Sequence, residues 1–282
     1  MAFATAVYPE VIGLAVCGES LSPNSTMEKS LAEIAAEHDT DKAVHLHYLE
    51  AYERHFASLR SVEMSLFELG IKNGGSLLMW RDYFPLGRIA GLDIEPASVP
   101  DDTGRITTYQ GMQQDTALLH RIAKENAPNE FDIIIDDCSH IGVLARESFW
   151  YLFKDHLKSG GWYVIEDWGT GYWDSWVDGV SYRNAPKRFS PPLYKANRIA
   201  ARLAHAAGSF PLIGSFMRRF KAVIVARQFT WHDYGMVGFV KELIDELGMP
   251  DRTHPEYGIG TPTESRFSEM HFTQSHLFIR KV

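Results

Sequence analysis

Five short apolar runs recur along the chain with helix-length segments between them: SLFELG (65–70), RIAGLDI (88–94), RITTYQG (105–111), FDIIIDD (131–137) and GWYVIED (161–167). Strands spaced by helices imply right-handed crossovers and a parallel sheet covered on both faces. The spacing predicts helices over 74–83, 114–126 and 142–159. A sheet of this kind binds ligands outside the carboxyl ends of its strands. The isoleucines of 133–135 are then buried strand, and Asp136, Asp137 and His140 lie where that strand leaves the sheet for the ligand crevice.

The flanks extend the pattern. Residues 27–60 read as helical, with Leu31, Ile34 and Ala35 on one face and Tyr48, Tyr52 and Phe56 repeating every four. The polar stretch HDTDKAVHLH breaks that helix into two. Near the end, GMVGFVKELIDELG (235–248) is an amphipathic helix, and SHLFIRK (275–281) is a last strand expected at the sheet edge. A chain of 282 residues with 45% hydrophobic content is expected to form one domain over 1–282. It divides into an N-terminal helical region (1–60), a core (61–178), an insertion (179–232) and a C-terminal helix and strand (233–282).

The net charge of −8 argues against a general nucleic-acid binder. Two cysteines, Cys17 and Cys138, are too few for a disulfide framework and fit a reducing cytoplasm. The apolar opening is interrupted by Pro9 and Glu10 and is shorter than a membrane span requires, so neither a signal peptide nor a transmembrane helix is expected.

The loop FELGIKNGGS (67–76) follows the first strand and opens a helix, which suits ligand binding at backbone amides. A dinucleotide fingerprint would need G-x-G-x-x-G; here Lys72 stands at the second glycine position, which disfavours a dehydrogenase. Glu68-x-Gly70 followed by Gly74, Gly75 and Ser76 resembles the first motif of class I S-adenosylmethionine-dependent methyltransferases. That resemblance implies cofactor contacts from Glu68, Gly70 and Ser76, with Asp93 on the ribose hydroxyls. The alternative is an ordinary tight turn.

At neighbouring strand ends on the same edge, Asp137, Glu166 and Asp167 bring three carboxylates together. Unpaired, they would repel one another. A divalent cation resolves the conflict, and hard oxygen ligands suit Mg²⁺, with Mn²⁺ or Ca²⁺ as substitutes. His140, three residues beyond Asp137, is placed to act as general base, because imidazole titrates near neutral pH. The plainer reading has the carboxylates capping helices and the histidine in a structural role.

Together, HDTDK (38–42), FELGIKNGGSLLMW (67–80), YQGMQQD (109–115), FDIIIDDCSH and YVIEDWGTGYW (163–173) resemble the metal-dependent sugar O-methyltransferases of macrolide biosynthesis, with the cephalosporin hydroxylase-like group as a relative. The likeness covers 30–173 and resumes at 235–282. It implies an α/β, Rossmann-like class I methyltransferase fold, S-adenosylmethionine and Mg²⁺ as cofactors, and a saccharide or glycosylated small-molecule acceptor. Metal binding then falls to Asp137, Glu166 and Asp167, with His140 as base. Gln113 and Asp115 are implied near the adenine, and Thr40, Asp41 and Lys42 along the cofactor or the substrate entrance. Cys138 stands where the family carries a small residue. Two other readings remain open: a cofactor-binding protein without catalysis, and a hydroxylase whose acidic edge holds iron, with His45 and His47 as candidate ligands.

Residues 179–232 contain no Asp or Glu, yet they carry ten of the chain's 28 Lys and Arg residues, among them Lys195, Arg198 and Arg202 on one helical face. A basic helical lid over the site is expected, meeting an anionic group on the acceptor or a membrane surface. Pairing with acids elsewhere on the protein, or across a homodimer contact, is the alternative.

Overall fold

The computed structural model describes residues 28–173, 175–184, 232–258 and 260–282. Apart from 179–184 and His232, the basic insertion lies outside these ranges, as does Cys17.

Among the described residues, seven strands form one sheet in the order β3-β2-β1-β4-β5-β7-β6. They are β1 (Ser65–Leu69), β2 (Arg88–Asp93), β3 (Ile106–Gln110), β4 (Phe131–Asp136), β5 (Leu157–Glu166), β6 (Phe267–Phe272) and β7 (His276–Lys281). The first five pair in parallel, as their helical crossovers require, whereas β7 runs antiparallel to β5 and β6 antiparallel to β7. SHLFIRK was expected at the sheet edge; it lies inside, because β6 pairs along its outer side. The sequence of β6, FSEMHF, is half polar and carries little strand signal. The helix expected over 142–159 ends at Asp155, since Leu157 already pairs with Phe131 and extends β5 backwards.

Helices cover both faces. On one side pack α1 (Leu31–Ala35), α2 (Leu46–Phe56) and α3 (Gly75–Tyr83), through Leu31, Tyr52, Phe56 and Trp80. On the other pack α4 (Thr116–Asn126), α5 (Gly142–Asp155) and a C-terminal helix (Gly235–Gly248), through Ile122, Phe149, Leu152 and Phe239. A short helix, α6 (Val177–Asn184), precedes that C-terminal helix, which is the next helix among the described residues and is labelled α7. Local chemistry sets several helix starts. Ser30 and Glu33 form a capping box at α1, and Asp115 accepts from the amides of Ala117 and Leu118 at α4. The buried Asp178 of α6 accepts from the amides of Gly142 and Met236, tying together the first turns of α5 and α7.

Strand alternation decides where each strand-end carboxylate goes. Leu66, Ile133, Ile135, Trp162 and Val164 face the α2–α3 side, whereas Phe67, Ile134, Tyr163 and Ile165 face the α4–α5 side. Continuing the period of two sends Glu68, Asp137 and Glu166 toward α2 and α3 and Asp136 toward α5. The paired aspartates of FDIIIDD are thereby divided between the two faces of the sheet.

Candidate active site

A cleft of about 670 Å³ opens at the carboxyl ends of β1, β2 and β4, lined by Thr40, Lys42, Gly70, Ser76, Asp93, Gln113, Asp137, His140 and Asp167, among others. Its floor is the loop after β1. Gly70 sits at φ 84°, and a Cβ there would lie 2.0 Å from the carbonyl oxygen of Asp137. The loop carrying Asp137 and the loop carrying Gly70 are therefore in backbone contact. Asp93 braces the same loop, with Oδ2 accepting from the amides of Ile71 (2.9 Å) and Lys72 (2.8 Å). Its position at the cleft wall suits the ribose contact expected of it, while its hydrogen bonds hold Lys72 at φ 49°.

We expect Gly70→Ala to lower stability by about 2–5 kcal/mol, from left-handed backbone strain plus the collision with Asp137. Urea denaturation measures this, and a loss under 1 kcal/mol would mean that the two loops separate easily.

Beneath the cleft lies a buried electrostatic cluster. The Lys42 ammonium, 2% exposed, donates to Asp137 Oδ2 (2.6 Å) and Glu166 Oε1 (2.8 Å) and lies 3.4 Å from Glu68 Oε1. Burial opposes its charge, but the charges of Asp137, Glu166 and Glu68 outweigh burial and hold Lys42 well above its ordinary pKa. Tyr52 also donates to Glu166 Oε1, and Ser76 Oγ donates to Glu68 Oε2 at 2.8 Å. Burial pushes Glu68 up to about 7, and burial together with the charge of Glu166 does the same to Asp137.

The outer side of Asp137 is different. Its Oδ1 faces His140 Nε2 at 3.6 Å, and Asp137, His140 and Asp167 each offer a ligand atom within 4.8 Å of the others. Asp167 leaves the strand at φ 47°, which swings its carboxylate off the path of Glu166, and Tyr48 donates to it. His140 is held at φ 50°, with its carbonyl accepting from Thr170 Oγ1 (3.0 Å) and Trp176 Nε1 (3.1 Å). Its Nδ1 is buried without a hydrogen-bond partner among the described residues. Hard carboxylates beside an imidazole fit a divalent cation with open positions.

The expected metal set is thus distributed. Asp137 and Asp167 share the outer grouping with His140, whereas Glu166 groups with Glu68 and Asp137 around Lys42. Glu68 lies beneath the cleft lining, Asp115 is the N-cap of α4 outside that lining, and Thr40 caps the short turn that carries Lys42. Gln113 bridges two loops, donating to Asp136 (3.3 Å) and accepting from the Ser139 amide (3.1 Å). His45 and His47 are exposed and belong to neither metal-capable grouping among the described residues.

Asp136, expected at the crevice with Asp137, instead points to the α5 side, because alternate strand residues face opposite ways: 1% exposed, it accepts from Ser148 and Gln113, and burial pushes it up to about 6. One feature escaped the sequence reading. His276, buried against Tyr48 and Tyr52, is pushed by burial down to about 3 and acts as a neutral spacer behind the carboxylates. Strand periodicity could have located Asp136, and His276 directly follows the turn into β7.

The fold is that of a Rossmann-like class I methyltransferase. MycE methyltransferase of the mycinamycin pathway, solved with Mg and SAH, superposes with a TM-score of 0.62 at 29% identity, covering 91% of this chain and 55% of that one. No protein-family model matches the chain. Among curated proteins it is 42% identical over 168 residues to mycinamicin VI 2''-O-methyltransferase of Micromonospora griseorubida, covering 57% of this chain and 39% of the relative. It is also 42% identical over 174 residues to a tetracenomycin-C rhamnosyl 3'-O-methyltransferase of Streptomyces olivaceus, covering 59% of this chain and 43% of that relative. Demethylmacrocin O-methyltransferase of Streptomyces fradiae is 41% identical over 157 residues, covering 53% of this chain and 39% of the relative. The chain therefore spans about two fifths of these relatives' length, and all three are named O-methyltransferases. The resemblance drawn from the motifs is borne out.

Proposed function

We propose that the chain is an S-adenosylmethionine-dependent O-methyltransferase that methylates a sugar hydroxyl of a saccharide or glycosylated natural product. The observation that carries this reading is the meeting of Asp137, His140 and Asp167 on the wall of the cleft whose floor is the glycine loop. In this reading the loop from Gly70 to Ser76 and Asp93 hold the cofactor, with Thr40, Lys42 and Gln113 around it. Asp137 and Asp167, backed by Glu166, hold Mg²⁺, for which Mn²⁺ or Ca²⁺ can substitute. Bound there, the cation supplies a Lewis acid that lowers the pKa of a coordinated hydroxyl.

The chain's own residues orient and deprotonate. Asp137 presents Oδ1 outward because Lys42 occupies Oδ2, and His140 accepts the proton of the acceptor hydroxyl as its oxygen attacks the sulfonium methyl. The neutral sulfide departs in line with the attack, so fixing the two reactants relative to each other supplies much of the acceleration.

The test is transfer of labelled methyl from S-adenosylmethionine to a panel of glycosides. We expect activity with Mg²⁺, a loss of about 100-fold or more in EDTA, and recovery on adding the ion back. Full turnover in EDTA would overturn the metal reading.

No helix among the described residues is long and apolar enough to cross a membrane. We place the protein in the cytoplasm as a homodimer, folded as a single domain with 61–178 as its cofactor and metal core. The basic stretch 179–232 serves as a lid toward an anionic acceptor or surface; its ten cations without a single acid support this.

A further inference from the structure

We propose that Lys42 is a positioning residue. Its ammonium permanently occupies the inner seat between Glu68, Asp137 and Glu166, and so confines the divalent cation to the outer face of Asp137 and Asp167 beside His140. This rests on the reading that the protein binds such a cation.

Two carboxylate groupings compete for an ion, and they share Asp137. The inner one, Glu68–Asp137–Glu166, is more buried and offers three acids, so on charge alone it is the stronger trap. An ion there would lie under the α2–α3 side of the sheet, away from His140. Lys42 removes that option, with Nζ at 2.6, 2.8 and 3.4 Å from the three carboxylates.

The lysine is fixed from several directions. Its amide donates to Thr40 Oγ1 at 3.3 Å, and Gly75, opening α3, packs against the Asp39 backbone so closely that a Cβ would lie 1.9 Å from the Asp39 oxygen. Tyr52 holds Glu166 from the other side. Segment 39–42 is thereby locked onto the start of the helix that follows the glycine loop. One side chain thus connects the end of β1 to the ends of β4 and β5, and it orders Asp137 with Oδ2 inward and Oδ1 toward His140.

Two measurements test this. Crystals of the wild-type protein soaked in MnCl₂ should show anomalous density beside Asp137 and Asp167, with Lys42 still on Asp137 and Glu166. Titration of Mn²⁺ into Lys42→Met, followed by loss of the free-ion EPR signal, should show binding tighter by about tenfold or more, because a nearby positive charge is gone and the inner trap is open. Methyl transfer should fall by about 100-fold, because the ion has moved away from His140. A merely structural lysine would weaken both. Mn²⁺ in the ammonium's seat with Lys42 displaced, or Lys42→Met binding Mn²⁺ no tighter than wild type, overturns the proposal. If Lys42→Met does not fold, the wild-type density decides alone. Wild type that binds no Mn²⁺ at either place and turns over fully in EDTA removes the underlying metal reading, an outcome distinct from ion density in the wrong seat.

Discussion

Asp137→Asn should make the metal-free protein more stable while nearly abolishing methyl transfer. Three carboxylates surround one ammonium at Lys42, and removing the charge of Asp137 leaves Glu68 and Glu166 to hold it. Asn keeps the shape of the side chain and an oxygen for Lys42. Because burial and Glu166 raise Asp137 to about 7 in the folded chain, the folded state binds that proton more tightly than the unfolded state, where an aspartate titrates near its ordinary value. The wild type therefore loses stability as pH rises from about 4 to about 7, and the loss is complete above that window. Glu68, raised to about 7, and Asp136, raised to about 6, act in the same direction in both proteins. At pH 8 the variant should exceed metal-free wild type by roughly 2–4 kcal/mol, and at pH 4 the two should coincide. Transfer should drop roughly 10³-fold, about 4 kcal/mol of transition-state stabilisation, because under the proposed function Asp137 is a ligand of the ion that activates the hydroxyl. Thermal melts at both pH values with EDTA present, alongside methyl transfer with Mg²⁺, measure the two halves. A variant less stable than wild type at pH 8, or one retaining most of its EDTA-sensitive transfer, contradicts the electrostatic picture.

The parts of this arrangement that the sequence made legible are those governed by local periodicity. The parallel strands β1, β2, β4 and β5 announce themselves as short apolar runs because they are largely buried on both faces, whereas β3, at the sheet edge, is only partly buried. The strand-end position of Asp137, Glu166 and Asp167 follows from the same runs. The loop after β1 is legible through its glycines, as Gly70 against Asp137 illustrates. What stayed hidden depends on contacts far apart in sequence. Lys42 lies 95 residues from Asp137 and 124 from Glu166, in a polar stretch that reads as solvated loop. A lysine is almost always exposed, so nothing local marks this one as 2% exposed. The division of Asp136 from Asp137 was available from the period of two, and it determines that only the second aspartate reaches the cleft. The left-handed turn at Asp167 was not available, because an aspartate at positive φ is imposed by its surroundings. That turn separates Glu166 from Asp167 and places them in different groupings.

Removing the imidazole should cost more rate than any other single change that leaves the ion and the cofactor in place. His140→Asn is the informative variant. His140 sits at φ 50°, a region that Asn tolerates better than Ala, and the backbone carbonyl that accepts from Thr170 and Trp176 is unchanged. The fold and the outer grouping should therefore survive, and melting temperature should stay within a few degrees of wild type, an effect of about 1 kcal/mol or less. Loss of a positioned general base lowers kcat by about 10²–10⁴-fold. Under the proposed function the loop from Gly70 to Ser76 holds the cofactor, so cofactor affinity by calorimetry should be unchanged, and so should Mn²⁺ affinity. Because the acceptor hydroxyl must then lose its proton to solvent base, the residual rate should climb with pH up to the limit of protein stability. That pH dependence separates a proton acceptor from a residue that merely shapes the cleft, whose replacement would lower the rate equally at every pH. A His140→Asn variant with near wild-type kcat, or a loss in rate matched by loss of ion affinity, would assign His140 to the metal shell and leave the proton to another base.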